Sequence, residues 1–92
     1  MPFENHFHER KLPENASREE KASVKAAVIL MRIIENYFDD HLRSTDAIVH
    51  VQGSCVEDLF LRVHGLTDEQ QSELKFQTGL TPMPIMSAER TA

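Results

Sequence analysis

The sequence predicts an all-α protein, with one long central helix and two short C-terminal helices, assembled as a helical homodimer. Three observations carry this expectation. Ser17 to Arg43 runs 27 residues without a Gly or a Pro, the two residues that most reliably interrupt a helix. Ser17-Arg18-Glu19-Glu20, Ser54-Cys55-Val56-Glu57 and Thr67-Asp68-Glu69-Gln70 each have the form of a helix-starting capping box. The apolar residues of 17–43 fill an arc of roughly 200° on a helical wheel, about twice what a one-sided surface helix needs.

Residues 1–16 read as an extended arm. Pro2 and Pro13 bracket a mixture of polar and apolar residues with no helical period, and Phe3, Phe7 and Leu12 are available to dock on a groove. The long helix, 17–43, follows. Its arc holds Ala22, Val24, Ala26, Ala27, Leu30, Met31, Ile33, Ile34, Tyr37, Phe38 and Leu42, and Val28 and Ile29 widen the edges. Lys21, Lys25, Arg32, Glu35, Asn36, Asp39 and Arg43 lie opposite, where a solvated face is expected.

After the polar stop Arg43-Ser44-Thr45-Asp46 comes Ala47-Ile48-Val49-His50-Val51-Gln52-Gly53. Its β-branched residues favour a strand. An otherwise helical chain offers a lone strand no partner, so 47–52 reads as a short helical turn or an extended link. Val56, Leu59, Phe60 and Val63 then recur at i, i+3, i+4 and i+7 ahead of Gly65, which predicts a helix over 55–64. The third capping box opens a helix over 68–78, closed by Gly79 and poor in apolar residues. Residues 80–92 read as an extended or disordered tail, because the residue before each of Pro82 and Pro84 is pushed out of the helical region. The 92 residues make a single domain.

The formal charge of −5 is uneven. Residues 1–45 carry seven Lys/Arg against eight Asp/Glu, a net of −1, and residues 46–92 carry three against seven, a net of −4. Such a balance argues against non-specific nucleic-acid binding, which needs a basic face, and against anionic membrane surfaces. The longest apolar run, Ala26 to Met31, is far short of a membrane span. The single cysteine excludes an internal disulfide framework, and a basic, apolar leader is lacking. Asn15-Ala16-Ser17 matches a glycosylation acceptor but reads as chance beside a capping Ser17. The expected compartment is the cytoplasm.

Chemistry-bearing patterns are sparse. His6-Phe7-His8 places two imidazoles on one side of an extended chain, yet no second His pair stands at i, i+4 and no Cys pair is present, so no metal site and no cofactor are expected. Cys55 at a helix start gains nucleophilicity from the dipole, but Glu57 and Asp58 oppose ionisation and lone cysteines are most often buried. A helix-turn-helix over 55–78 puts Asp68, Glu69 and Glu73 on the helix that has to approach phosphate.

The surplus apolar arc is the functional clue. The expected function is a small non-catalytic regulator or adaptor that occludes or bridges a surface of a larger protein, such as a transcription regulator or an enzyme. Its partners are a second copy of itself and another protein, with no nucleic acid and no membrane. Ala26, Ile29, Leu30, Ile33 and Tyr37 form the expected interface, leaving Met31, Ile34 and Phe38 to be covered by 55–64 within the chain. Phe3, Phe7, Met83, Ile85 and Met86 are candidate arm and tail contacts. A DNA-binding module using 55–78 is the first alternative, and a small metal- or Cys-dependent enzyme subunit the second.

Overall fold

The middle of the chain obeys a two-residue period. Val49 and Val51 are fully buried while Ile48, His50 and Gln52 lean outward, and Leu61 and Val63 are buried while Phe60, Arg62 and His64 turn the other way. That is strand behaviour. The computed structural model, which describes residues 2–85, places six elements in the order β1 (Phe3–Phe7), α1 (Arg18–Tyr37), β2 (Ile48–Gly53), β3 (Phe60–His64), α2 (Asp68–Thr78) and β4 (Met83–Pro84). The strands form one mixed sheet in the order β1-β2-β3-β4. The fold is α/β, and the all-α expectation is wrong.

Strands β1 and β2 run parallel with Phe3 opposite Val49, β2 and β3 run antiparallel with Val51 opposite Leu61, and β3 and β4 run parallel with Val63 opposite Pro84. Parallel neighbours need a crossover, and α1 and α2 supply the two. The molecule is therefore two β-α-β units joined by the β2–β3 hairpin. Ala27, Ile34, Tyr37, Phe38 and Leu42 from the α1 region and Leu74 from α2 share one core with Phe7, Val49, Val51, Leu61 and Val63. Both helices thus cover the same face of the sheet, and among the described residues no helix covers the other.

Helix α1 begins as its sequence dictates. The Ser17 hydroxyl accepts from the Glu20 amide at 3.1 Å while the Glu20 carboxylate accepts from the Ser17 amide at 3.5 Å. It ends in a π turn over Phe38–Leu42, in which the Arg43 amide donates to the Phe38 carbonyl at 2.8 Å. Phe38 and Leu42, at the two ends of that turn, are both buried. Helix α2 also has its expected ends, with a reciprocal Thr67–Gln70 cap and Gly79 in the left-handed conformation.

Other expectations about local structure are corrected. Residues 55–64 are not a helix. Only Val56–Asp58 make a 3₁₀ turn before β3, and the Asp58 carboxylate, not Glu57, closes it by accepting from the amides of Ser54 at 2.7 Å and Cys55 at 2.9 Å. The segment 47–52 is mostly strand, with partners on both sides in its own chain. The arm contains β1, and Met83–Pro84 add an edge strand before Ile85, whose amide donates to the Val63 carbonyl. Residues 86–92, Met86 included, lie outside the described residues. Met31, Ile34 and Phe38 do face the core, but the sheet covers them, and there is no helix at 55–64 to do so.

Candidate protein-binding groove

On α1, the side turned away from the sheet carries Arg18, Lys21, Lys25 and Arg32. At 3.6 residues per turn these four fall within about 60° of one another. The connection from β1 to α1 runs beside them, tied to the end of β2 by amides of His8 and Arg10 donating to the carbonyls of Gly53 and Ser54 at 3.0 and 3.1 Å. The result is an open groove of about 740 Å³, walled by Glu9, Arg10 and Leu12 on one side and by α1 from Arg18 to Arg32 on the other. Leu12, Ala22, Val24, Val28 and Ile29 give it an apolar lining. Its volume falls within the range typical of ligand sites, about 300–1,000 Å³.

The electrostatics of the groove run against those of the chain. Five of the ten Lys/Arg line it, and among the described residues Glu9 is its one carboxylate. Arg10 reaches Asp58 at 3.6 Å, whereas Arg18, Lys21, Lys25 and Arg32 make no salt bridge among the described residues. Neither Lys21 nor Lys25 has a carboxylate three or four residues away on the helix. Like charges at that spacing destabilise a helix, and Arg18 and Lys21 sit at its positive end. At Arg18, Lys21 and Lys25 the charge of the stripe therefore works against α1 and not for it.

Of the residues the sequence singled out for an interface, only Ile29 lines this groove, and it is 56% exposed. Ala26, Leu30 and Ile33 are half-buried. Tyr37 is buried at the α2 side, where burial first, and the charges of Glu73 and Glu69 next, push its phenol pKa up. Phe3 and Phe7 pack into the core, Ile85 is buried, and Met83 is half-exposed at the sheet edge. Cys55 is 1% exposed, so its thiol is out of reach of solvent.

The sheet face away from the helices holds a second polar cluster. The Glu4 carboxylate lies 3.0 Å from His6 Nε2 and 3.2 Å from His50 Nε2. The His6 hydrogen bond, followed by the His50 charge, holds Glu4 below its ordinary pKa. Arg62 stacks over Phe60 at 5.3 Å. Among the described residues no three His, Cys, Asp or Glu side chains are arranged to hold a metal ion, and no helix is long and apolar enough to cross a membrane.

Compared with family models, curated proteins and solved structures, the chain matches none. The cationic stripe was legible in the sequence as Arg18, Lys21 and Lys25 at i, i+3 and i+7 without opposing acids. Lys21, Lys25 and Arg32 fall on the face the sequence marks as solvated, and the wall that faces them, Glu9 to Leu12, comes into place only through the pairing of β1.

Proposed function

We propose that this protein is a non-catalytic binding module of the cytoplasm, a regulator or adaptor whose groove takes an acidic, amphipathic segment of a larger protein. The carrying observation is the set of four cations that make no salt bridge among the described residues, around an apolar lining, in a chain of net charge −5. Carboxylates of such a segment pair with Lys21, Lys25 and Arg32. Its apolar residues, spaced at i, i+3 and i+4, meet Val28 and Ile29. Occupying that segment occludes it from other partners. The lone, buried Cys55 suits a reducing compartment.

A helix-turn-helix reading loses its first helix, since Phe60–His64 is a strand. Phosphate binding at the groove is disfavoured by five apolar lining residues and by the acidic remainder of the chain. The test is a fluorescence titration with a synthetic helical peptide bearing Glu and Leu on one face. The wild type is expected to bind it, with affinity falling as salt rises, and Lys21→Glu with Lys25→Glu is expected to abolish binding while the circular dichroism stays unchanged. Preferential binding of duplex DNA or of anionic vesicles overturns the proposal.

A further inference from the structure

Helix α2 carries the complement of the groove. Leu74 is fully buried and Thr78 nearly so, which fixes that face of α2 against its own core. The opposite face presents Phe76, and Glu69 and Glu73 lie within about 60° of it at 3.6 residues per turn. Phe76 is 88% exposed, and among the described residues it and Ile29 are the two most exposed of the large hydrophobic side chains. One stands on an acidic helix face and the other in a cationic groove. Their dimensions also agree: the eleven residues of α2 are about 16 Å long, and the α1 wall from Arg18 to Arg32 is about 21 Å.

We propose that the groove of one copy receives α2 of a second copy. Phe76 enters the apolar lining at Val28 and Ile29, and Glu69 and Glu73 pair with Lys21, Lys25 and Arg32. This rests on the groove being a site for acidic amphipathic helices, and names one such helix. Within a single chain α2 is already committed: Leu74 is buried in the core, and Glu69 and Glu73 border a separate hollow beside Tyr37 and His41, away from the groove residues. Groove and helix are different surfaces, so the contact is heterologous. Each molecule brings one of each, and the pair either closes reciprocally or runs on head to tail.

The test uses light scattering on the full chain over a range of concentration and salt. The wild-type mass is expected to rise with concentration and fall with added salt. Phe76→Asp, at an exposed position that leaves the fold intact, and Lys21→Glu with Lys25→Glu are each expected to be monomeric. Mixed in equal amounts, the two variants are expected to form a one-to-one pair, since the first retains the groove and the second the helix. A monomeric wild type, variants that associate as the wild type does, or a mixture that stays monomeric overturns the proposal. If a monomeric wild type still binds the Glu/Leu peptide, self-association alone fails. If it binds no peptide, the groove reading fails with it.

Discussion

The ring of Phe3 stands 5.5 Å from that of Phe38, the two planes inclined at 37°. Phe3 opens β1 and Phe38 opens the π turn at the end of α1, so this pair fastens the first strand under the long helix. Phe38 is 4% exposed. Phe38→Ala is expected to cost about 3–5 kcal/mol in urea unfolding, as for large aromatics removed from cores. The half-buried Phe3 should cost less, and the double variant should show a coupling of about 0.5–1.5 kcal/mol. Strictly additive effects would mean that the two rings do not support one another.

Asp58 accepts from the Ser54 amide at 2.7 Å, the Ser54 hydroxyl at 2.6 Å and the Cys55 amide at 2.9 Å. The two bonds from Ser54, then that from the Cys55 amide, hold its carboxyl far below the ordinary 3.8. A carboxylate with a depressed folded-state pKa adds stability above its ordinary value and loses it as pH falls toward the depressed one. Glu4 and Glu57, also lowered from 4.5 by His6 and Ser23 respectively, act in the same direction. Stability should therefore fall as pH drops below 4.5 and keep falling below 3.8. Asp58→Asn should be less stable at neutral pH and show a flatter limb below 3.8, read from urea midpoints across the pH series.

Gly53 ends β2 at φ 143°, and a Cβ placed there meets the Leu59 Cα at 2.8 Å and the Asp58 carbonyl oxygen at 2.9 Å. Both are backbone atoms that cannot swing aside. Gly79 has φ 74° with nothing within 4 Å of the same added atom. Gly79→Ala is expected to cost about 1–2 kcal/mol for the left-handed conformation alone, and Gly53→Ala more, above about 3 kcal/mol, from strain and displacement together. Thermal unfolding of the two variants side by side gives the comparison, and equal losses would contradict the close approach at Gly53.

Lys21→Glu separates stability from binding. It relieves a like-charge contact with Lys25 and replaces it with a Glu–Lys pair at i, i+4, worth about 0.2–0.5 kcal/mol. It also puts a carboxylate near the positive end of α1. The melting temperature is expected to hold or rise slightly while affinity for the acidic peptide falls. A variant that loses stability and keeps the peptide would show that the stripe serves the fold.

Both helices were written into the chain. Ser17 with Glu20 and Thr67 with Gln70 start α1 and α2, and Gly79 stops the second, because helical hydrogen bonds and caps join residues three or four apart and leave their signals inside the segment. The sheet was not legible in this way. Val56, Leu59, Phe60 and Val63 satisfy a helical period while Leu59, Leu61 and Val63 satisfy alternation, and the choice fell to β2, which offers β3 a ladder of hydrogen bonds from a separate part of the chain. For β1 the partner lies beyond the whole of α1, so Phe3 and Phe7 looked like a loose arm until Val49 and Gly53 stood opposite them. The same holds for the groove. Its cations are spaced by one helix and can be counted in the sequence, but the groove exists only because β1 pairing carries Glu9 to Leu12 alongside them. Tertiary structure also decided that the sheet covers the face of α1 that carries Ile34 and Phe38, since apolar arcs state how much surface must be buried and not what buries it.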